Sequence, residues 1–294
     1  MATKITDLVD VEELTEAVSA RFAAGANALW GTGAAILNSS FPGGPDAVGT
    51  KVKVPYFGSI GEWESLADGS AFTPTKITQT EEEATVHRIG KAFSITDWAR
   101  MAGAKGEGGK DPYEEAAEQA VAGFEGAIDR MLILSFVASL PAMTVDVYSA
   151  TTPRTIDSDL VIDGRAKWGD EAGARALLMA HSKVENDMWK LKDATGRNLL
   201  VSPQTGGLST FVGYPVGMSD RLAAAAGVTP AKYTTVLANP GAGVCWYNGT
   251  PEVEIGRDIL AGADVIVVST YAVVHRYKRL PGKTKPGVAL LFHN

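Results

Sequence analysis

Asp111-Pro112-Tyr113-Glu114-Glu115-Ala116-Ala117-Glu118 opens a stretch that runs on to Leu140 and is stopped by Pro141. Its chemistry predicts one long helix. An Asp at the N-cap accepts a hydrogen bond from an orphan backbone N–H. Pro112 takes the first helical position, where a missing N–H costs little. Glu114 has the capping-box spacing, and Glu115 and Glu118 put negative charge near the positive end of the helix dipole. Tyr113, Ala117, Val121, Phe124, Ile128, Met131 and Ser135 then follow steps of four and three, and Ala116, Ala120, Ala127 and Leu132 widen that face. Residues 131–140 are apolar nearly all round, which predicts burial. Such a helix is roughly 45 Å long. It is either the core helix of an α+β enzyme or a strut across a flat, extended subunit, and its flanks decide between them.

On the N-terminal side, residues 49–57 alternate Val52, Val54 and Tyr56 with Lys51 and Lys53, a strand pattern. Residues 83–95 read as a second, partly wet strand. The 25 residues between them, 58–82, exceed an ordinary hairpin loop. They carry Trp63, Leu66, Phe72 and Ile77 among acids and glycines, and large apolar groups on so long a connection need a surface to pack on. Glu81-Glu82-Glu83 reads as a solvated strand entry. Further out, Leu8, Val11, Leu14, Val18, Phe22 and Leu29 have helical spacing within residues 7–37, before a Ser/Pro/Gly breaker at 39–45. That segment is either an arm or a helix packed on the main core.

On the C-terminal side, residues 144–148 are a strand candidate and 151–168 are polar and turn-rich. Leu177, His181, Val184, Met188 and Leu191 predict a helix over 171–193, with His181 as a core histidine. Short strands are expected at 198–201, 211–216, 235–238 and 244–247, and a short Ala-rich helical piece at 221–227. Longer strands are expected at 251–257, 264–278 and 288–292.

The chain has 294 residues, 45% of them apolar, a net charge of −7 and one cysteine. That is ample for a sizeable core, argues against a dedicated nucleic-acid binder, and allows no intramolecular disulfide. No stretch reads as a signal peptide or is long enough to cross a bilayer as a helix, so a soluble product of a reducing compartment is expected.

Motifs for chemistry are missing. His87, His181, His275 and His293 stand far apart, with no metal-ligand spacing. Gly282-Lys283-Thr284 copies the end of a phosphate loop, but Tyr277 stands where its first glycine belongs. Asp157-Ser158-Asp159 opens like a calcium loop and fails at Val161 and Ile162. Cys245, between Val244 and Trp246, reads as a small buried hydrophobe. No catalytic residue, cofactor or metal is assigned. Arg276, Lys278, Arg279, Lys283 and Lys285 form a basic cluster, read first as a solvated strand end.

The order of elements adds a resemblance. Residues 49–56 resemble the strand entering the extended hairpin (E-loop) of tailed-bacteriophage major capsid proteins of the Hong Kong 97-like fold. Val86-His87-Arg88-Ile89-Gly90-Lys91-Ala92-Phe93-Ser94-Ile95-Thr96-Asp97 resembles its return strand, and 111–140 the spine helix. Gly213-Tyr214-Pro215-Val216 with Ser219-Asp220 resembles an axial-domain segment, and 265–277 the long peripheral strand. The resemblance implies an α+β capsid fold: an N-terminal arm (1–48), extended hairpin (49–96), peripheral domain (97–141 and 251–279) and axial domain (142–250 and 280–294). It implies a structural protein and no enzyme: hexamers and pentamers in an icosahedral shell around double-stranded DNA, with a separate scaffolding protein, a portal and no membrane. Trp63, Leu66, Phe72 and Ile77 would then contact a neighbouring subunit, and the arm would be a second intersubunit or scaffold-facing element. An encapsulin-type nanocompartment shell and an α+β enzyme with a carboxylate site are the competing readings.

Overall fold

In the computed structural model, the described residues are 33–38, 41, 50–57, 65, 70–74, 76–77, 79–98, 112–138, 140–202, 208–222, 225, 229–249, 251–280 and 283–294. Among them are three α-helices and fourteen strands in chain order. The strands are β1 (Ala35–Asn38), β2 (Lys51–Phe57), β3 (Gln79–Thr85), β4 (His87–Thr96), β5 (Thr144–Asp146), β6 (Leu177–Ala180), β7 (Leu200–Val201), β8 (Thr210–Phe211), β9 (Tyr214–Met218), β10 (Tyr233–Ala238), β11 (Gly243–Tyr247), β12 (Glu252–Asp258), β13 (Ala263–Arg276) and β14 (Val288–His293). The helices are α1 (Pro112–Val137), α2 (Ser158–Ala166) and α3 (Ser182–Lys190).

The expected long helix is α1, 26 residues and so about 39 Å. Its N-cap, Asp111, lies outside the described residues. The helix ends before Pro141, which opens a short 3-10 turn. Phe124, Ile128, Leu132, Ile133 and Phe136 are buried, whereas Leu134 is 63% exposed. The all-round burial expected of residues 131–140 therefore does not occur. The buried stripe steps by four from Phe124 to Phe136, leaving Leu134 on the opposite side. Gly90 and Gly243 give close approach: a Cβ on Gly243 would meet the Phe136 ring at 2.7 Å. Arg276 comes in from β13 and donates to the carbonyls of Phe136 (3.2 Å) and Ala138 (2.7 Å). It caps a helix end that carries no basic residue of its own.

Two sheets flank α1. In the first, β13 pairs antiparallel with β12 and β11 along one edge and with β4 along the other, and β1 adds parallel to β11. In the second the order is β5-β14-β10-β6-β9-β8-β7. One core cluster joins Ile128, Leu132 and Phe136 to Ala272 and Cys245 of the first sheet and to Leu177, Val236 and Leu290 of the second.

Several expectations need correction. The helix expected over 171–193 is β6 followed by α3. Leu177, Leu178, Met179 and Ala180 are all buried, a central-strand run that helical spacing alone cannot exclude. His181 is the N-cap of α3, its side chain accepting from the Lys183 N–H at 3.0 Å, not a core group. The turn-rich 151–168 contains α2, capped by Asp157, whose carboxylate accepts from the Leu160 N–H at 2.7 Å. Residues 83–95 belong to two strands that break at Val86. The basic cluster is solvated only in part: Lys278 and Arg279 are exposed, whereas Lys283 donates to the Glu171 carbonyl, and Lys285 to those of Lys167 and Trp168 just beyond α2. The piece expected over 221–227 lies largely outside the described residues, and so does the segment expected as a helix over 7–37 up to residue 32; its last residues are not helical but enter β1 (Ala35–Asn38), paired with β11.

Asp129 tests how tightly α1 is seated. Burial pushes its carboxyl up to about 6 against the pull of Arg221, with Glu125 adding to the rise. The folded state thus holds a proton that the unfolded state releases, and stability falls as pH rises from about 4 to 6. In the unassembled subunit Asp129→Asn is expected to remove that slope and to add about 1 kcal/mol at pH 7.5, allowing for screening at a half-buried site. Urea midpoints at pH 4.5 and 7.5 measure it.

Candidate assembly surfaces

The strands β2 and β3 form a two-stranded antiparallel ribbon. Its parity assigns two faces. Lys51 is opposite Thr85, Val52 opposite Ala84, Lys53 opposite Glu83 and Val54 opposite Glu82. Lys51–Glu83 (2.6 Å) and Lys53–Glu81 (2.8 Å) are exposed ion pairs. Val52, Val54 and Ala84 are buried against Val244, Trp246 and Val273 of β11 and β13, with Phe41 in the same cluster. The ribbon's base is thus anchored on its own subunit.

Glu82 faces inward with these apolar groups and is 3% exposed. The expectation that all three of Glu81, Glu82 and Glu83 are solvated fails at this one. Its carboxylate lies 2.6 Å from His275 Nε2 and accepts from the Lys278 N–H at 3.3 Å. A buried carboxylate needs such partners, and the pair ties the ribbon to the far end of β13. The signal was available: in a strand with this register, the residue between two lysine-paired glutamates must point the other way.

Beyond the base the ribbon stops being buried. Phe57 is 61%, Phe72 74% and Ile77 58% exposed. Of the expected contact residues, Phe72 and Ile77 are therefore solvent-facing in the single chain. Trp63 and Leu66 lie outside the described residues.

A second exposed apolar group was not foreseen. Where β12 turns into β13, Ile259 is 85% and Leu260 101% exposed, and Trp98, just after β4, is 79% exposed. The turn is built firmly. Asp258 accepts from the Leu260 and Ala261 N–H groups, and Gly262 has a φ of +58°. Arg257 bridges Asp97 (2.6 Å) and Asp264 (2.8 Å). Those carboxylates, Asp97 first, hold its guanidinium still more firmly charged. Large apolar groups on a braced turn cost solvation and gain nothing within one chain.

Chemistry-bearing groups are dispersed. Among the described residues no three His, Cys, Asp or Glu side chains are placed to hold a metal. His293 is buried and bonded to Thr235 at 2.9 Å. Cys245 is buried as expected, and burial pushes its thiol up to about 12, the opposite of an activated nucleophile. No helix among the described residues is long and apolar enough to cross a membrane.

No protein-family model matches the sequence, and no curated protein does either. Solved structures do match. The capsid of Ralstonia phage GP4 superposes with a TM-score of 0.64 at 11% identity, over 88% of this chain and 87% of that one. The capsid of an empty GTA particle gives 0.64 at 14% identity, over 100% and 95%. A structure from Mycobacterium phage Cain gives 0.58 at 12% identity, over 91% and 90%. This chain has a phage-capsid fold. The α+β class expected from the resemblance is met at that level, and near-complete coverage on both sides means that the whole architecture corresponds, not one shared motif.

The Glu82–His275 pair can be tested in isolation. Removing one partner leaves the other buried and unpaired, so Glu82→Ala is expected to cost about 3 kcal/mol. Replacing both with valine is expected to cost less than the two single changes summed. Urea denaturation gives the coupling, and amide exchange over residues 51–57 locates it.

Proposed function

We propose that this chain is the major capsid protein of a tailed bacteriophage, a structural component of the virion. The observation that carries the reading is the match to capsid structures over almost the full length of both chains. The exposed apolar groups at two projecting ends support it. Phe72 and Ile77 on the connection between β2 and β3, Trp98 just after β4, and Ile259 and Leu260 at the β12–β13 turn are largely exposed in the single chain. At about 25 cal/mol per Å² of apolar surface removed from water, burying a few such groups contributes several kcal/mol per contact before ordering costs.

In this reading the ribbon is the extended hairpin and lays Trp63, Leu66, Phe72 and Ile77 on an adjacent subunit. The helix α1 is the spine. The helix α1 with β12 and β13 of the first sheet forms most of the peripheral domain (97–141 and 251–279). The second sheet forms most of the axial domain (142–250 and 280–294). Copies associate as hexamers and pentamers, assisted by a separate scaffolding protein and a portal, into a closed shell around double-stranded DNA. A subunit with net charge −7 holds that DNA by confinement and weak contacts, not by a basic groove.

Negative-stain microscopy of the expressed protein is expected to show closed particles or capsomers. Particles filled with a co-purifying enzyme would favour a nanocompartment shell instead. A persistent monomer with hydrolytic or transfer activity would overturn the proposal. Trp63→Ala with Phe72→Ala, and separately Leu260→Asp, are expected to reduce assembled material in sedimentation at least tenfold. The circular dichroism and unfolding midpoint of the free subunit are expected to stay within about 0.5 kcal/mol of the parent, as for other surface changes.

A further inference from the structure

The C-terminal half of α1 and the start of β4 leave a groove of about 530 Å³ between them. Its lining combines the apolar Ile89, Met131 and Leu134 with the basic His87, Arg88 and Arg130; Arg88 donates to the Ser269 hydroxyl at 3.1 Å. Leu134 is 63% exposed there, on a helix whose neighbouring residues Leu132, Ile133 and Phe136 are buried. Arg130 makes no ion pair among the described residues. Exposed apolar groups beside cations fit an acidic, amphipathic peptide, and the chain carries one. Residues 7–22 place Leu8, Val11, Leu14, Val18 and Phe22 at helical spacing and hold Asp7, Asp10, Glu12, Glu13 and Glu16 against the single base Arg21. The connection at 58–78 is less suited: it has three acids, Glu62, Glu64 and Asp68, and its large apolar groups do not form a helical stripe.

We infer that in the unassembled subunit the groove is a dock for the chain's own residues 7–22, which cover Leu134 and neutralise Arg88 and Arg130. The tether permits it. Residue 33 leads into β1, which lies on the same sheet as β4, with β11 and β13 between them. Three strand spacings are about 14 Å, and the ten residues 23–32 span up to about 35 Å. A tethered segment also acts at an effective concentration in the millimolar range, well above that of free subunits in dilute solution. The inference concerns the free subunit and does not depend on shell formation.

The test is photo-crosslinking of the full-length subunit at low micromolar concentration, with p-benzoylphenylalanine introduced at Leu134 or, separately, at Met131. The expected product stays at monomer size, is independent of concentration, and maps by mass spectrometry to residues 5–24. Val11→Asp with Leu14→Asp, and separately Arg130→Glu, are expected to lower its yield at least fivefold while the unfolding midpoint is retained. Adducts to residues 58–78, adducts at dimer size, or no adduct at either position would overturn the inference. Any of these could occur with particle formation intact, so failure here is distinct from failure of the capsid reading.

Discussion

The two-sided burial of α1 is the constraint on which the rest of the molecule depends. Ile128, Leu132 and Phe136 are fully buried and touch one sheet on each side. A buried Leu, Ile or Phe contributes roughly 1.5–3 kcal/mol, so this single stripe supplies a large share of a typical net stability. It also means that neither sheet closes a core alone at this place. The helix behaves as a shared beam, and close approach is secured by Gly243 beneath Phe136 and by Arg276 over the last carbonyls.

What the beam holds apart is as informative as what it holds together. The β2–β3 ribbon and the β12–β13 turn are each fixed by specific contacts, and each lies next to exposed apolar groups. The ribbon is rooted by Val52, Val54 and Ala84 and by the Glu82–His275 pair. The turn is rooted by Arg257 between two aspartates. Rooting by polar pairs is reasonable at these places. Such pairs add little net stability but are geometrically demanding, so they fix the direction of each element more than they strengthen it.

The legible parts of the fold were those with period or punctuation. The long helix, the Lys/Val alternation of β2 and the long β13 are all present near their expected bounds, because an amphipathic face writes itself into spacing. The helix expected over 171–193 failed because Leu177, Leu178, Met179 and Ala180 are buried on both sides. A four-residue apolar run there fits either period. The helix α2 was missed because its signal is one cap, Asp157, within a polar surrounding. Of the candidate surface, Phe72 and Ile77, both of them exposed, were legible as large apolar groups on a long connection. Trp98, Ile259 and Leu260 were not, because nothing in Asp258-Ile259-Leu260-Ala261-Gly262 distinguishes an exposed turn from the end of a buried strand. The inward turn of Glu82 was legible in principle from strand parity, but three consecutive acids read first as a solvated run.

The low identity to the capsid structures follows from the same physics. At 11–14% identity, nearly every residue differs, yet the architecture superposes along the chain. What such a fold requires of a sequence is sparse: a helix with one apolar stripe, strands whose alternate residues are apolar, glycine where backbone meets ring, and caps at helix ends. Many residues satisfy each requirement, since a core tolerates exchange among apolar side chains when volume and pattern are kept. Exposed positions are freer still, since substitutions there rarely change the stability of the fold by much. Sequence then drifts, and the fold persists as the shared feature.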